Sequence, residues 1–149
     1  RPKVANFTPV DQKFEIGKAL KMIEGTDVSI MATGHLVWEA IQAAQALNDQ
    51  GISAEVINIH TIKPLDEKAI IDSARKTKCV VSAEEHNYLG GLGESISRTL
   101  AQHLPTVQEF VATQDTFGES GTPAQLMAKY QIDAKAVEAA ALRAISRKP

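Results

Sequence analysis

The sequence predicts a three-layer α/β/α sandwich on a mostly parallel five-stranded sheet with one antiparallel edge strand. Short uncharged runs rich in Val, Ile and Met, such as Val28–Thr33, have the composition of strands covered on both faces. Between them lie segments whose apolar residues recur at helical spacing, as Val37, Ala40, Ile41, Ala44 and Leu47 do. Strand and helix alternate along the chain. That alternation makes βαβ units, whose strands are parallel and whose crossovers are right-handed.

In chain order, residues 1–13 are polar, carry Pro2 and Pro9, and read as a linker from an upstream domain, with the folded domain spanning 14–149. Ala19–Ile23 is expected as the antiparallel edge strand. The turn Glu24-Gly25-Thr26-Asp27 suggests that it forms a hairpin with Val28–Thr33. Gly34 breaks that strand and opens the first helix, and Gly51 follows the helix where a left-handed cap is wanted. Ala54–Ile59 is the second parallel strand. Pro64 ends its connection, and Asp66 is placed to cap a helix carrying Ala69, Ile70 and Ala74, with Lys76 and Lys78 near its negative end. Cys79–Ala83 is the third parallel strand, Glu84–Gly93 a loop, and Leu92–His103 a helix burying Leu92, Ile96 and Leu100. Thr106–Ala112 is the fourth. Thr122-Pro123-Ala124-Gln125 combines a cap, a first-turn proline and a capping-box glutamine at the start of a short helix to Tyr130. Asp133 caps the last helix, whose face is Ala136, Val137, Ala140, Ala144 and Ile145.

Composition narrows the function classes. The 149 residues suit one domain, with 44% hydrophobic and 23% charged residues. A net charge of −2 offers no basic stripe for nucleic acid. No apolar run reaches the length of a membrane span, and no signal-peptide pattern opens the chain. It begins Arg1-Pro2-Lys3, without Met, as expected of a domain cut from something longer. The single cysteine, Cys79, excludes a disulfide framework and fits a reducing, cytoplasmic compartment; its place in a strand makes it a core residue rather than a nucleophile.

Ligands of such sheets bind beyond the carboxyl ends of the strands. Three segments lie there: Thr33-Gly34-His35, Glu84–Gly93 and Thr113–Gly121. Gly90-Gly91-Leu92-Gly93 admits two readings. One is an anion cradle at a helix start. The other is glycines that let the chain turn and a neighbour approach, and it is preferred because the run lacks the G-x-G-x-x-G spacing. Glu84 and Glu85 admit an acid/base pair or, preferably, one carboxylate capping the loop and one in solvent, since neighbours in extended chain point opposite ways. His35 and His86 could approach each other but lack a third metal ligand at recognisable spacing. His60 and His103 read as ordinary surface histidines, and Trp38 and Tyr88 as packing or interface residues. No Ser/His/Asp arrangement is visible.

The series TIKPLDEKAIIDSARKT, EEHNYLGGLGESI and DTFGESGTPAQLMAKYQID, preceded by EGTDVSIMATGHLVWEAIQAA, resembles the C-terminal domain of transketolases in order and spacing, from about Phe14 to Ile145. It looks most like the bacterial form split into two subunits. Related domains end deoxyxylulose-phosphate synthases and the β subunits of 2-oxoacid dehydrogenases, which carry EEN or EEG at Glu84-Glu85-His86. The resemblance implies a parent enzyme of the pentose phosphate pathway using thiamine diphosphate and a divalent metal such as magnesium to pass a two-carbon ketol unit between sugar phosphates. It implies partners too: pyrimidine-binding and N-terminal domains or subunits, in a homodimer or heterotetramer. The Gly-Asp-Gly…Asn motif that holds metal and diphosphate is absent from this sequence. No catalytic, cofactor-binding or metal residue is therefore carried over, and this segment is expected to be inactive alone, with a structural or regulatory role. Thr33, Gly34, His35, Glu84, Glu85, His86, Tyr88, Gly90, Gly91 and Gly93 are expected as contact residues toward another domain or subunit. A free-standing module binding an anionic metabolite through Glu84–Gly93 is the alternative of a different class.

Overall fold

The computed structural model describes residues 5–149; the part of the expected linker at residues 1–4 lies outside them. Five strands, β1 (Leu20–Ile23), β2 (Val28–Ala32), β3 (Ala54–Asn58), β4 (Cys79–Asn87) and β5 (Val107–Thr113), form one sheet in the order β1-β3-β2-β4-β5. β2, β3, β4 and β5 run parallel and β1 is antiparallel to β3. Helices α1 (Leu36–Asp49) and α5 (Ala134–Ser146) cover one face, and α2 (Glu67–Thr77) and α3 (Leu92–His103) the other. The short α4 (Pro123–Lys129) precedes α5 and adds Met127 to the first core.

Side chains on β2 divide by strand alternation. Val28, Ile30 and Ala32 enter the core under α1 and α5, while Met31 joins Ile57, Ile59, Val80 and the buried face of α2 and α3. Helix ends follow the capping residues. Asp66 accepts from Ala69 N at 3.1 Å, Asp133 accepts from Ala136 N at 2.9 Å, and Thr122 with Gln125 closes a capping box. Gly51, at φ +81°, takes the left-handed conformation after α1 that side chains rarely adopt.

Two sequence expectations change. β1 is the antiparallel edge strand, but it pairs with β3 and makes no hairpin with β2. The turn between them passes over the start of β3. Thr26 N and Asp27 N both donate to Ser53 O, and a Cβ on Gly25 would lie 2.2 Å from the β3 backbone. β2 is thereby delivered to the sheet centre, where both of its faces are covered. The second change lengthens β4. Glu84, Glu85, His86 and Asn87 belong to the strand rather than to a loop. β2 ends at Ala32, but β5 continues alongside β4, with Asn87 paired to Thr113 across a bulge and Tyr88 N donating to Thr113 O at 3.0 Å. The polar composition of these residues reads as loop, yet the edge strand β5 pairs with the end of the run at Asn87.

Composition also conceals Glu55, fully buried near the amino end of β3. Its carboxylate accepts from Ser73, Lys76 and Lys21, and Ser73 continues through Ser29 to Thr77. Burial alone would raise the pKa of Glu55, but the hydrogen bonds from Lys76, Ser73 and Lys21 outweigh it and hold the carboxyl below its ordinary value. This group therefore contributes stability that is present above the ordinary value near 4.5 and lost as pH falls through the depressed one. Removing both cations, by Lys21→Ala with Lys76→Ala, strands a buried carboxylate and is expected to cost about 3–5 kcal/mol in urea unfolding at neutral pH. The lost stability should be partly regained on acidification, because Glu55 then prefers its protonated form, whereas the parent chain loses stability over the same range.

Candidate functional site: the carboxyl edge of the sheet

The carboxyl ends of the parallel strands deliver Thr33-Gly34-His35 after β2, Ile62 after β3, the end of β4 with Gly90 and Gly91, and the long 114–121 loop after β5. Eight of the ten residues singled out in sequence line one recess of about 320 Å³: Thr33, Gly34, His35, Glu84, Glu85, His86, Gly90 and Gly91. Tyr88 lies outside it, on the β5 side, and Gly93 is buried inside α3. Ile62 lines the recess and was missed. The available signal was its place directly beyond the carboxyl end of β3, in TIKP.

Glu84 dominates this geometry. It is 2% exposed, yet both carboxylate oxygens are used: Oε2 accepts from Leu92 N at 2.9 Å and Oε1 from Gly93 N at 2.8 Å. These are the first-turn donors of α3, which a helix leaves unpaired and which carry its partial positive charge. The chain's own carboxylate thus fills the place where an anionic ligand would sit. Gly91 and Gly93 make this possible. A Cβ on Gly91 would stand 2.1 Å from Glu84 Oε2, and one on Gly93 would meet the Phe110 ring at 2.6 Å and Ser82 Oγ at 2.9 Å. The glycine run therefore serves close approach by side chains, and one glutamate of the pair caps while its neighbour Glu85 stands in solvent.

Around Glu84 the recess holds ordinary polar groups. His35 Nε2 lies 3.6 Å from Glu39 Oε1, and the other Glu39 oxygen accepts from Ala134 N at 2.8 Å, at the start of α5. His86 Nδ1 lies 3.0 Å from Asn87 O. Asn87 ties the edge together: its Oδ1 accepts from Leu89 N at 2.9 Å, and its Nδ2 donates to Asp115 at 2.7 Å. Among the described residues no three His, Cys, Asp or Glu are grouped to hold a metal ion. His60 departs from expectation: its ring packs on Phe14 with centroids 4.1 Å apart, Nδ1 lies 2.8 Å from Thr61 Oγ1, and the buried Nε2 has no hydrogen-bond partner among the described residues. His103 is exposed at the end of α3, and Cys79 is a core residue whose thiol pKa is pushed up by burial.

Comparison with known proteins gives this edge its context. The model of the transketolase C-terminal domain matches residues 17–137. The chain belongs to the transketolase C-terminal domain family. It is 44% identical over 148 residues to a 6-deoxy-6-sulfo-D-fructose transketolase subunit of Clostridium sp. (strain MSTE9), aligning 99% of this chain with 46% of that protein. It is 38% identical to a putative transketolase C-terminal section of Methanocaldococcus jannaschii, over 83% of this chain and 39% of that protein. A solved split-gene transketolase, described as an inactive β4 tetramer, superposes with a TM-score of 0.95 at 38% identity, covering 98% of this chain and 48% of its own. The chain thus spans about half the length of these relatives. Its five-stranded mixed sheet is the α/β fold of the transketolase C-terminal domain, and no described helix is long and apolar enough to cross a membrane.

The Glu84 cap can be tested directly. Glu84→Gln exchanges one of two acceptors for an amide facing a backbone N–H, and is expected to cost about 2–3 kcal/mol in chemical denaturation. Gly91→Ala should destabilise by a similar amount, because its methyl displaces the same carboxylate. The double variant should then fall well short of the sum of the single effects.

Proposed function

We propose that this chain is the C-terminal part of a thiamine diphosphate-dependent transketolase, and that it serves assembly rather than the chemical step. The parent reaction passes a two-carbon ketol unit between sugar phosphates. The observation that supports the assembly role is Glu84 seated on the α3 N-terminus. In this fold that position is the natural cradle for a diphosphate, and here an internal carboxylate holds it. Thiamine diphosphate with its divalent metal does not fit these residues: the cradle is taken, and a metal-binding carboxylate or histidine cluster is lacking among the described residues. Cofactor and metal are accordingly held by the rest of the parent enzyme, which forms a homodimer or heterotetramer.

The ten edge residues act in this reading as contacts toward another domain or subunit. Glu84, Gly91 and Gly93 shape the end of β4 and the start of α3. Thr33, Gly34, His35, Glu85, His86, Tyr88 and Gly90 present side chains or backbone outward. An irregular surface mixing His, Tyr and Gly suits close approach by a folded partner.

Isothermal calorimetry of the 149-residue chain with thiamine diphosphate and magnesium tests the division of labour. Only the heat of dilution is expected. Saturable binding in the micromolar range would overturn the reading.

A further inference from the structure

Phe117 has no place in the domain's own packing. Its side chain is 97% exposed, at the tip of the loop after β5. The loop that carries it is nevertheless tied down at several points. Tyr130 Oη donates to Phe117 O at 3.3 Å, Lys129 pairs with Glu119, and Asp115, in the left-handed region at φ +50°, accepts from Asn87 at the end of β4. A tethered loop holding a phenyl ring in water spends ordering on a residue that returns nothing to the isolated fold. Such a ring suits an anchor, pre-organised so that little more freedom is lost on docking.

The surroundings fit that role. Ile62, Tyr88 and Leu89 are also exposed and lie at the carboxyl ends of β3 and β4. Phe14 and Ile16 expose apolar surface where the N-terminal segment crosses this edge, with Phe14 packed on His60 and Gly17 so close to Pro64 that a Cβ would come within 2.9 Å of its ring. The segment leading into the domain therefore meets the β3 side of the same carboxyl edge, whose β5 side bears Phe117. These relatives carry the matched region as under half of a longer chain, and the family model it matches is that of a C-terminal domain. A polypeptide joined through residues 5–18 is held near this edge at high effective concentration.

We propose that Phe117 is the anchor by which the carboxyl edge docks on the part of the transketolase chain that precedes this domain, its ring filling an apolar socket there. The proposal rests on the contact role given above to the edge and names the occupant and its central residue. The test is thermal unfolding of Phe117→Ser, Phe117→Leu and Tyr88→Ala, each in the full-length parent protein and in the 149-residue chain. Phe117→Ser is expected to leave the 149-residue chain within about 1 °C of its parent, as for a surface change, and to lower the Tm of the full-length protein by about 3 °C or more. Phe117→Leu should retain over half of that difference. Equal effects of Phe117→Ser in both contexts overturn the anchor. If Phe117→Ser is silent in both while Tyr88→Ala lowers only the full-length Tm, the anchor falls and the contact surface stands; if both are silent, both fall. Sedimentation of the 149-residue chain as a dimer that Phe117→Ser dissolves would make a second copy the occupant and overturn the assignment.

Discussion

The carboxylate of Glu84 on the first turn of α3 determines what the carboxyl edge can be. A helix start at the end of a parallel strand is the strongest anion site that this fold offers. Satisfying it internally removes the need for a ligand and fixes the geometry of everything nearby. β4 must run on far enough to place residue 84 beneath α3, the helix must begin with residues that let an oxygen in, and Glu85 and His86 must then face outward. The edge that remains is a shaped surface with two histidines, an exposed carboxylate and a rim of apolar side chains.

The opposite end of the sheet carries a second buried carboxylate with a different purpose. Glu55 ties β3 to α2 through Ser73 and Lys76 and to β1 through Lys21. Both lysines remain partly in solvent, so the charge is buried at one end only, and the pairing sets the position of the antiparallel edge strand. The two glutamates thus divide the polar interior: one at the amino end locks an edge strand and a helix onto the sheet, the other at the carboxyl end caps a helix.

Element identity was legible because period and capping chemistry agreed. Asp66, Asp133 and the Thr122–Gln125 box mark helix starts in sequence and perform that task in the fold. Alternation of strand and helix gave the layers. Pairing was less legible: a four-residue turn containing glycine suggests a hairpin, and only the approach of Gly25 to the β3 backbone shows the chain stepping across to the centre. The polar run Glu84–Asn87 hid the strand extension, since its far end pairs with β5, a partner distant in sequence. Glu55 was invisible for a related reason, because its partners lie on β1 and α2. Within the edge, the choice of one capping and one solvated glutamate was readable from strand alternation, whereas Ile62 entered the recess through tertiary approach alone.

The central claim is that this domain shapes and joins the transketolase without touching the reacting atoms. Steady-state kinetics of Glu85→Gln and His86→Ala in the parent enzyme, with the oligomer verified by sedimentation, tests it most directly. The account predicts kcat per assembled enzyme within about 3-fold of the parent, a barrier change under about 1 kcal/mol. A fall of about 100-fold in kcat and kcat/KM together, or about 2.7 kcal/mol of barrier, with assembly intact would place an edge residue in contact with the transition state and contradict it.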